Sequence, residues 1–184
     1  MEPKPFAIGM RVEHPQELIN LLQYGKKEAG ALGNAIYKLT TETSEKRGVY
    51  TFCMCPGGYV VNASSEEGRL AVNGMSYSGR NSANANSAVI ITITPEDYGD
   101  GTDPLSGVAF QRKMEEKAYQ IGKGKIPVER YGNFRRAVLE TELQEPEVIQ
   151  DDQKKTGTSG MEDITLCIKG QSVSYTHLRA HETG

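Results

Sequence analysis

The sequence predicts an α+β protein with a mainly antiparallel sheet and two helices. Strand-like segments outnumber helical ones and are joined mostly by short turns, which is typical of sheets built from antiparallel neighbours. Glycine is frequent, at 20 of 184 residues, and tryptophan is absent. This composition favours turns and strands over long helices. A chain of this length can bury one core, so a single domain is the default expectation.

Seven segments are predicted to be strands because they are apolar, β-branched or alternating over the length of a short strand. They cover residues 6–13, 35–43, 48–53, 59–62, 70–72, 88–94 and 127–131. The polar run at 44–47 separates the second from the third, so we expect these two to pair as a hairpin. Pro56-Gly57-Gly58 forces a turn before the fourth.

Two segments are predicted to be helices, and each has start and stop signals. The first opens at Pro15, which suits the first helical position, and ends at Gly25. The second begins at Asp103, a capping residue, with Pro104 at its first position and Gly122 as its stop. Apolar residues recur at helical spacing in both.

Charge and hydropathy exclude two kinds of partner. The net charge is -3, from 21 basic and 24 acidic residues, so no basic field is available to hold nucleic acid or anionic lipid. No run of about 18 apolar residues occurs, as a membrane-spanning helix would need. The first residues also lack the apolar stretch of a signal peptide. We therefore expect a cytoplasmic protein that binds neither nucleic acid nor membranes.

The C-terminal tail needs separate treatment. Residues 173–183, Val-Ser-Tyr-Thr-His-Leu-Arg-Ala-His-Glu-Thr, resemble one reading frame of the transposon-end adapter used in short-read DNA library preparation. His177 and His181 have the spacing of a metal-binding pair on a helix, and Cys167 lies upstream. Because the resemblance implies an artefact, we exclude a zinc site there. With the tail set aside, His14 is the one remaining histidine.

The first candidate site is the run Phe-Cys-Met-Cys-Pro-Gly-Gly-Tyr at 52–59. Its two cysteines are separated by a single residue, so it is not the Cys-x-x-Cys redox motif. Gly57 and Gly58 allow positive φ and let a backbone approach a ligand closely. The functional interpretation is a loop packed against a cofactor, with Cys53 or Cys55 near the reacting centre. The alternative, favoured by composition alone, is a buried cysteine pair flanking a tight turn.

The second candidate site is the small, polar stretch at 74–87, which we expect to form an asparagine-rich loop over 79–87. Its amides and hydroxyls, with Arg80, can hydrogen-bond a phosphate, a ribose or a polar substrate group. An ordinary solvated loop is the alternative. Neither a Gly-x-Gly-x-x-Gly between a strand and a helix nor a Gly-x-x-x-x-Gly-Lys-Ser/Thr occurs. The sequence therefore offers no recognisable cradle for dinucleotide phosphates.

Five segments together resemble the uncharacterised bacterial FAD-dependent dehydrogenases. They are residues 6–15, 50–61, 73–77, 84–88 and 94–98, and the most specific is Cys-Met-Cys-Pro-Gly-Gly at 53–58. The similarity covers residues 2–134, with a weaker echo at 167–171. Members of that family are several times longer. They carry an N-terminal Rossmann-type half that holds FAD, followed by a region that resembles this chain.

The resemblance implies an incomplete piece of a two-domain flavoprotein oxidoreductase. Residues 1–134 would be its substrate or cap region, 135–171 a polar and poorly ordered segment, and 172–184 the adapter-derived tail. The implied chemistry is hydride transfer to or from FAD, with a small-molecule substrate and NAD(P) as a further partner. We expect the piece alone to be inactive and to bind flavin poorly, since the phosphate-binding half is absent from it.

The resemblance also implies which residues face the flavin. The candidates at the reacting centre are Cys53 and Cys55, and those that contact the cofactor are Pro56, Gly57, Gly58, Asn84 and Asn86.

Two readings from other classes stay open at this point. The chain could be a small non-enzymatic module whose asparagine-rich loop binds a polar ligand or a protein. It could also be a thiol-redox protein that uses Cys53 and Cys55. Against the latter, no basic or histidine neighbour in the sequence is evident to activate a thiol, although Lys46 and Arg47 could approach in space.

Overall fold

The computed structural model describes residues 2–99, 102–140, 147–148 and 165–169. Within them the chain forms a seven-stranded sheet and a second sheet of two strands, and every pairing is antiparallel. The strands are β1 (Phe6–Pro15), β2 (Thr40–Glu42), β3 (Gly48–Cys55), β4 (Gly58–Asn62), β5 (Val72–Ser76), β6 (Asn84–Ile93), β7 (Pro127–Arg130), β8 (Glu147–Val148) and β9 (Thr165–Lys169). The helices are α1 (Gln16–Tyr24), a 3-10 turn at Gly30–Leu32, α2 (Pro95–Tyr98), α3 (Ser106–Ile121) and α4 (Tyr131–Glu140). The α+β prediction is confirmed.

The middle of the large sheet is the long pairing of β1 with β6. Strand order is β2-β3-β6-β1-β9-β7-β8, and the register runs from Phe6 opposite Ile93 to Pro15 opposite Asn84. The hairpin predicted across residues 44–47 is present, because β2 pairs with β3. β3 then pairs with β6, so the Cys-x-Cys segment lies directly beside the central pair of strands.

An apolar core covers one half of one face of this sheet. Ala7, Ala88 and Ile90 are buried together, and Tyr50 and Phe52 of β3 pack against them. Residues opposite one another in antiparallel strands share a face. The same face therefore continues along β1 and β6 into polar side chains, beyond the end of the apolar cluster.

The two-stranded sheet packs over the neighbouring part of the molecule. β4 pairs with β5 from Gly58 opposite Ser76 onward. Val72 is fully buried with Val128 of β7, and Val60 and Ile126 pack against them. Burial of such side chains stabilises the fold by about 1.5–3 kcal/mol each. This contact anchors the small sheet against the large one.

Both predicted helices are confirmed, and each begins later than predicted. Pro15 is the last residue of β1 and the N-cap of α1, which begins at Gln16. α1 ends at Gly25, whose φ of 71° is the left-handed conformation that glycine adopts easily. α3 begins at Ser106, later than predicted. Asp103 Oδ1 accepts a hydrogen bond from Leu105 N at 2.8 Å, so Asp103 organises the turn before the helix, and Pro104 lies in that turn.

Four predicted segments need correction. The strand predicted at 35–43 is confined to β2 (Thr40–Glu42). β6 begins at Asn84, so the loop predicted at 79–87 ends at residue 83, four residues earlier than predicted. The strand predicted at 70–72 is β5, which starts at Val72. Residues 135–140 belong to α4, and within 141–171 the segments 147–148 and 165–169 are strands of the large sheet. Polar composition did not signal these strands, which are held by pairing with β7 and β1. The adapter-like residues 172–184 lie outside the described residues.

Across the described part of the chain, none of the helices has the length and apolar character needed to cross a membrane.

Candidate functional site

A buried arginine lies where the two sheets meet. Arg11 is the largest fully buried side chain of the described residues. Its Nε donates to Asn86 Oδ1 at 2.7 Å and its Nη1 to Asn73 Oδ1 at 3.3 Å. Its Nη2 donates to the carbonyl oxygen of Cys53 and lies 3.5 Å from Cys55 Sγ. A buried charge costs several kcal/mol unless it is hydrogen-bonded, so these acceptors are what allow Arg11 to sit there.

Arg11 lies on β1, and its partners come from three further strands and from both sheets. Asn73 lies on β5, Asn86 on β6, and the two cysteines on β3. Gly74 lies beside them, and a Cβ there would displace the Arg11 guanidinium or Asn86 Oδ1. The guanidinium thus fills the space that glycine leaves between the sheets.

The Cys-x-Cys segment is a β-bulge. Phe52 lies opposite Ala88 and Cys55 opposite Asn86, so two residues of β3 stand against one of β6. Cys53, in the bulge, has a φ of 53°, a conformation that non-glycine residues rarely adopt and that costs about 1–3 kcal/mol. The hydrogen bond from Arg11 to its carbonyl oxygen holds it there.

The bulge exposes one cysteine and partly buries the other. Cys53 is exposed and Cys55 is intermediate in burial. Cys55 Sγ donates to the Cys53 carbonyl oxygen at 3.3 Å. The alternative of a buried cysteine pair is therefore wrong, because the bulge turns Cys53 to the surface.

The glycine turn after the bulge packs against the chain itself. Residues 56–58 are buried. Gly57 has a φ of 54°, and a Cβ on it would overlap the carbonyl group of Arg80. Its N–H donates to Gln16 Oε1 at 2.9 Å. A Cβ on Gly58 would overlap the backbone of β5. The close backbone approach predicted for these glycines is thus used by the protein to seat the turn.

Glu13 ties the small sheet to the large one. Its Oε2 accepts from Val60 N at 2.7 Å, and its Oε1 accepts from Asn84 Nδ2 at 2.7 Å. Burial raises the pKa of Glu13, and the two hydrogen bonds together with the charge of Arg11 oppose that rise. Asn84 therefore serves as a partner of a partly buried carboxylate and lies two residues before Asn86, a partner of Arg11.

A second polar cluster lies behind the first, on the other face of β1. His14 is 5% exposed, and its Nε2 lies 2.8 Å from Tyr37 Oη. Tyr37 also hydrogen-bonds Ser87. Burial lowers the pKa of His14 and raises that of Tyr37, since both charged forms lose hydration. Two buried nitrogens of the described residues, His14 Nδ1 and Asn86 Nδ2, have no hydrogen-bond partner.

An exposed aromatic and apolar surface begins directly after the turn that follows the bulge. Tyr59, next to the turn, makes an edge contact with Tyr77, their ring centroids 6.3 Å apart. Met75 lies opposite Tyr59 in the small sheet. Met75 and Tyr77 are each 59% exposed. We call the exposed residues Cys53, Met75 and Tyr77, together with Tyr59, the bulge rim.

A separate open depression of about 760 Å³ lies at the other end of β3. Its lining is mainly threonines and charged residues of the β2–β3 hairpin, with Thr92 and Thr94. None of the predicted site residues lines it, so the depression carries no part of the candidate site.

The predicted site residues fall into two groups. Cys53, Cys55 and Asn86 meet at Arg11, and Asn84 is joined to them through Glu13. Residues 56–58 form the turn that follows. Whether any of these residues contacts a flavin stays a prediction. His177 and His181 lie outside the described residues, and Cys167 is opposite Arg11 in the backbone register of β9.

Sequence reasoning missed the residue at the centre. Arg11 and Glu13 lie two residues apart in a segment predicted to be an apolar strand. Two charged side chains on the same face of such a strand are unusual, and this pattern could have indicated a buried polar site. The sequence spacing could not show that Asn73 and Gly74 are neighbours of Arg11, because that depends on how the small sheet lies over β1.

The fold and the site define an α+β domain of two antiparallel sheets joined through a buried arginine beside a Cys-Pro-Gly-Gly bulge and turn. The model of the family described as "FAD-dependent protein, C-terminal domain-like" matches residues 5–164, and the chain belongs to this family. It is also 52% identical, over 149 residues, to an uncharacterized protein of Clostridium beijerinckii. The matched region covers 79% of this chain and 28% of that relative.

Proposed function

We propose that the chain is the part of a longer FAD-dependent oxidoreductase that closes one side of the flavin site. The family description supports a flavin-associated domain. The chain spans under a third of the length of its relative, which leaves ample sequence there for a separate FAD-binding portion. The reaction would be hydride transfer between FAD and a small-molecule substrate, with NAD(P) as a candidate partner.

The bulge rim is the surface that we assign to the flavin side. It joins the family's Cys-x-Cys-Pro-Gly-Gly segment to exposed aromatic and thioether groups, which suit contact with a flat, largely apolar ring. At the cysteine end of this surface, the buried guanidinium of Arg11 contacts the Cys53 carbonyl oxygen and Cys55 Sγ. This juxtaposition is the observation on which the proposal rests.

The described residues fit the ring portion of FAD better than its phosphates. Residues 56–58 are packed against the chain and offer no open backbone cradle. We therefore assign Gly57 and Gly58 the role of seating the turn, and Cys53 the role of a direct neighbour. Asn86 would act by holding Arg11, although its Nδ2 has no partner among the described residues. FAD, when bound, supplies the hydride chemistry, and the chain supplies a positioned, water-excluding wall.

The test is a pair of surface substitutions in the full-length flavoprotein that contains this chain. Met75→Lys places a charge on the bulge rim, and Leu105→Lys is a matched control at similar exposure, 59% against 62%. The proposal predicts a lower flavin content or a shifted flavin absorbance band in the first variant and neither change in the second. Equal spectra and equal flavin content in both would overturn it. Reduction of the flavin by NADH or NADPH, followed by absorbance, tests the nicotinamide partner separately.

A further inference from the structure

We propose that Cys53 and Cys55 form a reversible dithiol–disulfide site, positioned by Arg11, that takes low-molecular-weight disulfides as its oxidant. The proposal does not depend on flavin. It gives the exposed, strained cysteine of the bulge a chemical role of its own.

The bulge holds the two cysteines in unequal environments. Cys53 is exposed and can meet a reagent from solvent, whereas Cys55 is partly buried with its sulfur turned toward the Cys53 backbone. An exposed thiol, followed two residues later by a partly buried one whose sulfur lies 3.3 Å from the carbonyl oxygen of the first, suits an attacking and a resolving thiol. The regular pairing of β3 with β6 is interrupted at these residues alone along their ladder.

A permanent positive charge lies at the sulfur of the shielded cysteine. Arg11 Nη2 is 3.5 Å from Cys55 Sγ, and a guanidinium at this distance stabilises a thiolate over a thiol. The basic neighbour that the sequence around the cysteines lacks is thus supplied by a residue 44 positions away. Arg11 acts here as a positioning residue, since it also holds the Cys53 carbonyl oxygen.

The chemistry balances with glutathione disulfide as the oxidant. The Cys53 thiolate attacks one sulfur of glutathione disulfide, forming a mixed disulfide and releasing one glutathione thiolate. The Cys55 thiolate then attacks Cys53 Sγ, which forms the internal disulfide and releases the second glutathione. The chain loses two electrons and two protons in all, and one glutathione disulfide becomes two glutathione molecules.

The internal bond would be easy to reduce. It would span a single residue, so it constrains little chain entropy in the unfolded state. It would also have to form within a bulge that is already strained at Cys53. Strained, exposed disulfides are the labile kind that act in regulation or catalysis and not as structural braces.

The test uses the full chain with Cys167→Ser, so that only the pair is reactive. The folded protein is incubated with excess glutathione disulfide, and its mass is followed with time. The proposal predicts loss of two hydrogens without a retained adduct, and faster closure than in the same chain unfolded in guanidinium chloride. Reduced glutathione should restore the original mass.

Three single substitutions separate the roles. Cys55→Ser should trap a glutathione adduct on Cys53, because the resolving thiol is gone. Cys53→Ser should react at least about tenfold more slowly than Cys55→Ser, because Cys55 is shielded. Arg11→Lys should slow closure of the mixed disulfide by a larger factor than it changes formation of the adduct on Cys53, a difference that simple loss of structure would not produce.

A stable glutathione adduct on Cys53 in the folded parent, with no internal disulfide, would overturn the proposal. So would equal reactivity of the two single-cysteine variants. Neither outcome bears on the flavin site, which is tested by flavin content.

Discussion

Gly74 of β5 lies directly over the guanidinium of Arg11, and a methyl group at this glycine would overlap both Arg11 and Asn86 Oδ1. A side chain at this position would therefore force Arg11 or Asn86 out of the network between the sheets. The site depends on this closeness, because Asn73, next to Gly74, supplies one of the acceptors of Arg11.

Gly74→Ala should lower the free energy of unfolding by about 1–3 kcal/mol, the usual cost of overpacking a filled interior. Gly48→Ala is the matched control, because a Cβ there would find its nearest neighbour, Thr92 Oγ1, at an ordinary 3.8 Å. Urea unfolding of both variants measures the difference. Equal midpoints for the two would contradict the packing that we describe.

Arg11→Lys should destabilise the protein by about 2 kcal/mol, because an ammonium group cannot satisfy several acceptors arranged around a planar fork. Arg112→Lys is the control. Its guanidinium is half exposed and lies 3.6 Å from Glu66, so the same change should cost little there. If both substitutions gave the same unfolding midpoint as the parent, the buried network would not be holding the two sheets together.

His14 should make the fold sensitive to mild acid. Its pKa in the folded state is lowered from 6.5 by burial, so the unfolded chain takes up the proton more readily. The stability contributed by neutral His14 is fully present above pH 6.5 and is lost as the pH falls through the folded-state pKa. Unfolding midpoints near about pH 7.5 and about pH 5.5 should therefore differ more in the parent than in His14→Gln.

The pH dependence of His14→Gln must be compared with that of the parent, because Glu13 contributes to stability with the opposite dependence on pH. Its raised pKa gives a contribution that is fully present below pH 4.5 and is lost as the pH rises through its folded-state pKa. That contribution is common to both proteins and cancels in the difference. Identical pH dependence in the parent and the variant would mean that His14 is hydrated in the folded state.

Asp97→Asn should cost roughly 1 kcal/mol near neutral pH, a value reduced for partial solvent access. Asp97 pairs with Arg47 through two bonds of 2.7 Å, and its Oδ2 accepts from Thr94 N at the start of α2. The bonds to Arg47 and Thr94 lower the pKa of Asp97 to about 2. Its contribution is present above the unfolded value of 3.8 and is lost as the pH falls toward about 2.

Glu45→Gln is the control for this ion pair, since Glu45 also lies near Arg47, at 3.6 Å, but is 77% exposed in its side chain. Removing the charge of Glu45 should leave the midpoint of urea unfolding unchanged within error. A larger effect for Glu45→Gln than for Asp97→Asn would show that charge alone, without the cap of α2, accounts for the pairing.

The sequence predicted the class of fold because the signals for it are local. The alternation in β1, the β-branched run in β6, and Gly25 and Gly122 at helix ends all report on neighbouring residues. β9 was missed because this short strand is held by β1 and β7, which lie far away in the chain. The polar residues before it also made the whole segment 135–171 look unstructured.

The candidate site divides in the same way. The Cys-Pro-Gly-Gly turn was found from residue type and spacing, and the positive φ of Gly57 follows from glycine itself. The positive φ of Cys53 could not be foreseen, because it arises from a bulge that a hydrogen bond from Arg11 holds in place. Glu13 and Arg11 entered the prediction only as parts of a strand, since their partners lie 42 to 75 residues further along the chain.

The most direct measurement of the central claim is hydrogen–deuterium exchange of the full-length flavoprotein with and without FAD. If the bulge rim closes one side of the flavin site, FAD should slow exchange in peptides covering residues 52–60 and 73–78. Peptides of the β2–β3 hairpin around residues 40–47 should be unaffected and serve as the internal control. Protection confined to the remainder of the protein, with unchanged exchange at 52–60 and 73–78, would contradict the account.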